Sequence, residues 1–184
     1  MNICYGGSFN PPTIAHIKVV EKLKDMFNPQ NLIIIPTGDS YHLKEMTSFY
    51  HRFNMLKLAF PNDIILDIES LGNKYRGTLN TLNLLSKDYE DLYFCMGADN
   101  LITIKTWIKY EELLSKYKFI VFKRNDIDLE KFIENNIKEY KHNITIVDFD
   151  NDISSTMFRQ NKIKELVDEK TYNYILENNL YEGD

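Results

Sequence analysis

The chain has 184 residues, 43% hydrophobic and 27% charged, proportions ordinary for a globular protein with a sizeable core. Acidic residues outnumber basic ones, 27 to 22, for a formal net charge of −5. That balance argues against a general nucleic-acid binder, which needs a basic stripe, but leaves room for a site holding one nucleotide. The first residues read as a strand with no basic leader, and no apolar run approaches the length of a membrane span. The expectation is a cytoplasmic protein with neither nucleic-acid nor membrane partners.

Short apolar runs alternate with longer amphipathic stretches, the rhythm of repeated βα units. Strands are predicted at 3–5, 32–35, 64–66, 92–95, 119–122 and 144–147, each followed by a Gly, Pro, Asp or Asn that stops it. Between them, Ile17, Val20, Leu23 and Phe27 recur at helical spacing, as do Phe49, Phe53, Leu56 and Phe60. Residues 79–85 form a shorter helical pattern, and the charge-rich stretch 125–143 reads as a helical excursion on the surface. Tyr172, Ile175 and Leu176 predict a last helix whose apolar side covers the sheet edge. Cys4 and Cys95 lie in apolar runs and read as small core residues. The expected fold is α/β and Rossmann-like, with a doubly wound, mostly parallel sheet in one domain, 1–184. Such sheets take ligands outside the carboxyl ends of their strands, so chemistry belongs to the residues just after each strand.

After the first strand comes Gly6-Gly7-Ser8-Phe9-Asn10-Pro11-Pro12-Thr13-Ile14-Ala15-His16. Paired glycines permit close backbone approach, and the prolines hold off the helix until Thr13, a good N-cap. His16 then falls in the first turn, at the positive end of the helix dipole, where a phosphate would also meet free amides. This run resembles the first motif of the nucleotidyltransferase superfamily marked by (His/Thr)-x-x-His. The resemblance implies that Thr13 and His16 hold the phosphates at which displacement occurs, with Gly6, Gly7, Ser8 and Phe9 also on ATP. Thr at the first position is common in the nicotinate and nicotinamide mononucleotide adenylyltransferase branch; Ala15 stands where many members have Gly.

Further along, Pro36-Thr37-Gly38-Asp39-Ser40-Tyr41-His42-Leu43-Lys44, followed by His51-Arg52, resembles a loop of that branch. Lys44 is a candidate to neutralise ATP phosphate; Arg52 either faces substrate or ties its helix down. Tyr75-Arg76-Gly77-Thr78-Leu79-Asn80-Thr81-Leu82 resembles the segment beside the mononucleotide, which gives Thr78 and Thr81 a place there. In Met96-Gly97-Ala98-Asp99-Asn100, a carboxylate after a strand-end glycine suits ribose hydroxyls, and the resemblance puts Gly97 and Asp99 on the adenosine side. Trp107, the only tryptophan, matches a family residue that stacks on the pyridine ring.

After the last strand, Ser154, Ser155 and Thr156 offer hydroxyls at a helix start, and Arg159 lies one turn on with a planar fork of donors. The spacing resembles the family's Ile-Ser-Ser-Thr-x-x-Arg motif, which grips the triphosphate. The resemblance implies an enzyme of NAD biosynthesis that moves AMP from ATP to nicotinate (or nicotinamide) mononucleotide and releases pyrophosphate, with His16, Thr13 and Arg159 catalytic. It implies Mg²⁺ carried mainly on ATP phosphates; no His, Cys or carboxylate cluster reads as a protein metal site. Partners are then small molecules, ATP and a pyridine mononucleotide, and a homo-oligomer stays open. The alternatives are another adenylyl- or cytidylyltransferase of the superfamily, with phosphopantetheine as acceptor for example, and a non-catalytic nucleotide-binding module.

Overall fold

The computed structural model describes residues 1–41, 45–70, 75–123, 127–149 and 153–182. All six predicted strands are present: β1 (Asn2–Gly7), β2 (Asn31–Pro36), β3 (Ile64–Ile65), β4 (Leu92–Gly97), β5 (Lys118–Lys123) and β6 (Asn143–Asp148). They follow the order β3-β2-β1-β4-β5-β6, a doubly wound α/β sheet. Among the described residues the helices are α1 (Ile14–Phe27), α2 (Phe49–Ala59), α3 (Thr78–Leu85), α4 (Ala98–Ile102), α5 (Tyr110–Lys116), α6 (Leu129–Asn136), α7 (Ser155–Asn161) and α8 (Glu169–Glu177). No described helix is long and apolar enough to cross a membrane.

Two compact units emerge from the chain. The first comprises Met1–Gly6, Pro29–Asn31 and Arg76–Asn151. In it β1 pairs with β4 in parallel from Asn2↔Leu92 to Tyr5↔Cys95, and β4 with β5 from Tyr93↔Lys118 to Gly97↔Phe122. Phe119, Ile120, Val121 and Phe122 are all buried, as expected of a parallel strand covered on both faces. β6, the edge strand, pairs with β5 and alternates along its first four residues, Asn143 and Thr145 exposed against half-buried Ile144 and Ile146, as for a strand with one face open to solvent. Cys4 and Cys95 are buried free thiols, and burial pushes the Cys95 thiol well above its ordinary range. The strand order reverses between β1 and β4, whose carboxyl ends are therefore where a sheet of this kind takes ligands. The charge-rich stretch does carry a helix: Asp128 caps α6 by accepting from the Lys131 amide at 2.9 Å.

The second unit comprises Gly7–Asn28, Leu32–Tyr75 and Asp152–Asp184. Here β2 pairs with β3 only at Ile33↔Ile64 and Ile34↔Ile65, with the Leu66 amide adding a bond to the Ile34 carbonyl. The helical faces differ from the apolar spacing. In α1 the buried residues are Ala15, Val19, Val20 and Leu23, while Ile17 and Phe27 are half-buried. In α2 they are Arg52, Met55 and Leu56, and Phe49 and Phe53 sit at the margin. The last helix is corrected more substantially. Instead of covering a sheet edge, α8 packs Ile175 into a cluster with Met55 of α2, Phe158 of α7, Leu166, Val167 and Tyr181. Tyr174 holds it there, its hydroxyl 2.9 Å from His51 Nδ1 and accepting from Asn54 at 3.2 Å. Leu176 consequently faces solvent, 56% exposed.

Candidate active site

The first loop is defined by where its carbonyls go. Gly7 accepts from the Thr37 amide at 2.9 Å and from the Thr37 hydroxyl at 3.2 Å. Ser8 accepts from Arg52 Nη1 at 2.9 Å, Asn10 from Arg159 Nη1 at 2.6 Å and Pro11 from the Ser155 hydroxyl at 2.7 Å. Thr13 accepts from the His16 and Ile17 amides, opening α1. A trans peptide points its N–H opposite its C=O, so holding the Gly7 and Ser8 carbonyls inward aims the Ser8 and Phe9 amides the other way. Phe9 takes a left-handed φ of 47°, a conformation that costs a non-glycine residue about 1 kcal/mol or more and needs its surroundings to hold it. Those surroundings are a buried ring, 1% exposed, packed on the His16 imidazole at 5.0 Å.

Thr13 is the N-cap of α1, as its sequence position indicates, and His16 is the third residue of the helix. The Thr13 backbone N–H donates to His16 Nδ1 at 2.9 Å, with the Thr13 hydroxyl also 2.9 Å from that nitrogen. A backbone N–H can only donate, so Nδ1 must be an acceptor and the ring proton resides on Nε2. The imidazole is therefore the neutral Nε2–H tautomer.

The second turn is bound to the first. Ser154 caps α7 by accepting from the Met157 amide at 3.1 Å, and Ser155 reaches Pro11 as above. Arg159 spends one donor on Asn10 and one on the Thr156 hydroxyl at 3.2 Å; among the described residues its other three N–H donors are not engaged by protein. Thr156 itself is exposed. The turns carrying Thr13 and His16 and carrying Ser155 to Arg159 are therefore joined by direct hydrogen bonds. What they collect is donor-rich: amides, an imidazole N–H and a guanidinium, all suited to phosphate oxygens.

Beneath the first loop lies an arrangement that sequence reasoning left open. Arg52 is fully buried, 0% exposed, and each of its nitrogens is used: Nε to the Thr47 carbonyl at 2.7 Å, Nη1 to Ser8, Nη2 to Asp39 Oδ1 at 2.9 Å. Asp39 Oδ2 meanwhile accepts from the Phe49 amide at 2.8 Å, the first N–H of α2. Burial lowers the Arg52 guanidinium below its ordinary range, and the Asp39 carboxylate opposes that. Arg52 thus ties elements down and has no surface with which to meet substrate. Asn10 was missed as well: its side-chain oxygen accepts from the Thr47 amide at 3.1 Å and the Tyr181 hydroxyl at 3.0 Å. The available signal for Arg52 was its place four residues before Leu56, one helical turn from a residue of the expected apolar face.

The remaining sequence-predicted residues belong to the first unit, except Lys44, which lies outside the described residues. Gly6 is confined by its neighbours, since an added Cβ would stand 2.8 Å from the Phe94 ring. Gly97 is the opposite case: nothing lies within 4 Å of an added Cβ, so packing does not require glycine there. Asp99 is exposed in the first turn of α4. Trp107 is half-buried and meets Phe94 edge-on at 6.2 Å. Thr78 is the first residue of α3, and Thr81 one turn on is buried, 6% exposed. Ile108, next to Trp107, closes on the start of α3, its Cβ 3.0 Å from the position a Gly77 Cβ would take. Among the described residues no group of three or more His, Cys, Asp or Glu side chains could hold a metal ion.

Residues 4–161 match the cytidylyltransferase-like family model. A probable nicotinate-nucleotide adenylyltransferase of Acholeplasma laidlawii is 39% identical, with 99% of this chain and 98% of that protein aligned. The protein of the same description from Caldicellulosiruptor bescii is 32% identical over 96% of each chain. Among solved structures, Plasmodium falciparum nicotinic acid mononucleotide adenylyltransferase complexed with NaAD is similar at a TM-score of 0.83 and 26% identity, over 98% of this chain and 97% of that one. The same enzyme complexed with APC gives 0.77 at 28% identity, over 98% and 96%. On the family match and on relatives above 30% identity aligned over nearly their whole length, the chain belongs to the cytidylyltransferase-like family and, within it, to the nicotinate-nucleotide adenylyltransferases.

Proposed function

We propose that the chain transfers AMP from ATP to nicotinate mononucleotide with release of pyrophosphate, a step in NAD biosynthesis carried out in the cytoplasm. The observation that carries this reading is the junction of two donor-rich turns, Ser155 on Pro11 and Arg159 on Asn10, which can serve one polyphosphate. Nicotinate is the preferred acceptor because the relatives are described by that substrate and the Plasmodium enzyme was solved with NaAD.

A 5′-phosphate oxygen of the mononucleotide attacks the α-phosphorus of ATP in line. The new O–Pα bond forms as the bond from Pα to the bridging oxygen breaks, and pyrophosphate leaves with that electron pair. The attacking phosphate is already ionised near neutrality, so no side-chain nucleophile is needed, and the protein contributes position and charge stabilisation. His16 donates through Nε2–H to a phosphate oxygen as charge develops, with Thr13 fixing the ring. Arg159 holds the departing pyrophosphate with its three remaining N–H groups, beside Ser155 and Thr156. Gly97 and Asp99 receive the adenosine, and Trp107, Thr78 and Thr81 the pyridine nucleotide. The side chains around the proposed phosphate site are donors, so Mg²⁺ would be held mainly by ATP phosphates and water and would supply charge neutralisation there.

The test is product formation from ATP with nicotinate mononucleotide, nicotinamide mononucleotide and phosphopantetheine in separate reactions. Dinucleotide and pyrophosphate with the nicotinate substrate are expected. Turnover with phosphopantetheine alone, or ATP binding with no pyrophosphate from any acceptor, would overturn the assignment.

A further inference from the structure

We propose that Arg52, neutralised by Asp39, is a positioning residue for phosphoryl transfer: it sets the conformation of the loop that carries the Ser8 and Phe9 amides. The inference rests on the proposed adenylyl transfer and adds a residue that never touches substrate.

An ion pair whose cation is fully buried is a costly way to hold a helix, since an apolar side chain of similar volume would pack there without desolvating a charge. The geometry gives the cost a use. The guanidinium is a rigid planar fork with donors in fixed directions. Here those directions end on three different segments: Thr47 before α2, Ser8 in the first loop, and Asp39 after β2. Asp39 uses both oxygens, one on the guanidinium and one on the first amide of α2. Thr47 is held from both sides, its carbonyl by Arg52 and its N–H by Asn10. The bond to Ser8 matters most. Fixing that carbonyl fixes the plane of the Ser8–Phe9 peptide, hence the direction of the Phe9 N–H, at the residue forced to positive φ. Phe9 in turn packs on the His16 ring. One buried cation thereby governs a loop amide directly and the imidazole through a single side chain.

Lysine keeps the charge but delivers its donors from one point and cannot span the three acceptors. Asparagine at 39 keeps the shape but must turn an NH₂ toward either the guanidinium or the Phe49 amide. The experiment compares Arg52→Lys, Asp39→Asn and a packing control, Met55→Ala, which is buried on the same side of α2 and makes no loop hydrogen bond. Turnover per folded molecule is measured well below each melting temperature, with ATP and nicotinate mononucleotide saturating. Misplacement of about 1 Å costs on the order of a hundredfold in rate. Arg52→Lys is therefore expected to lower kcat about a hundredfold and Asp39→Asn about tenfold, with ATP half-saturation raised only a few-fold, because most ATP contacts are untouched. Met55→Ala is expected to lower the melting temperature and leave kcat alone.

Amide chemical shifts supply a readout independent of turnover: the Ser8 and Phe9 signals should move in Arg52→Lys and stay in Met55→Ala. If Arg52→Lys does not fold, Asp39→Asn carries the same comparison. Variants that melt earlier but keep kcat within about twofold of the parent, or whose Ser8 and Phe9 amides coincide with it, would overturn the proposal. A parent protein that forms no dinucleotide would instead refute the proposed function, and the amide shifts would still decide the role of Arg52.

Discussion

Asp39→Ala is the change whose effect on stability can be worked out most fully. Removing the carboxylate strands a guanidinium that is 0% exposed, and breaking one side of a buried pair typically costs about 3–5 kcal/mol. The Asp39 side chain is 55% exposed, so water can follow into its place and the lower end, about 3 kcal/mol, applies. The same carboxylate accepts from the first amide of α2 at 2.8 Å, and losing a helix cap adds about 1 kcal/mol. The sum is about 4 kcal/mol, equivalent to a melting temperature lower by about 8–16 °C for a chain of this size. Urea denaturation followed by circular dichroism measures it. Because the cation is buried, most of the difference should persist at high salt, unlike that of a surface pair. A loss under about 1 kcal/mol would mean that Arg52 finds solvent or another partner, and the described network would not be what holds the loop.

Two further outcomes follow from the site. His16→Ala should reduce turnover about a hundred- to a thousandfold while raising ATP half-saturation far less, the outcome expected if its Nε2–H acts, as proposed, on charge that develops during transfer; near-parent turnover would remove His16 from the mechanism. Gly97→Ala should leave the melting temperature within a degree or two, as an added Cβ meets nothing within 4 Å, yet weaken ATP binding by about tenfold if adenosine approaches there. Unchanged affinity in a calorimetric titration would place the nucleoside elsewhere.

The strands were legible because each is a short apolar run closed by a turn residue, and fully buried parallel strands such as 119–122 show no alternation to confuse the reading. The two donor-rich turns were legible because their residues are local: Thr13 and His16 share one helical turn, as do Ser155 and Arg159. What the sequence concealed is long-range. Nothing in residues 8, 39, 47 and 52 announces that one guanidinium joins them, because such a bond depends on the packing of distant segments. The destination of α8 was hidden for the same reason: apolar spacing shows that a face is buried but not against what, and Tyr174 reaching His51 decides it. In α2 the buried side keeps Leu56 of the expected apolar face but turns to take in Met55 and Arg52, because a cation paired with Asp39 can occupy a buried position that apolar spacing does not mark.

Adenylyl transfer requires attack on the α-phosphorus, and ATP labelled at its α-phosphate reports which phosphorus is attacked. With nicotinate mononucleotide present, the label should appear in the dinucleotide and be absent from the released pyrophosphate, and the His16→Ala protein should form that product at least a hundredfold more slowly. Label recovered as ADP, or as AMP without dinucleotide, would contradict it.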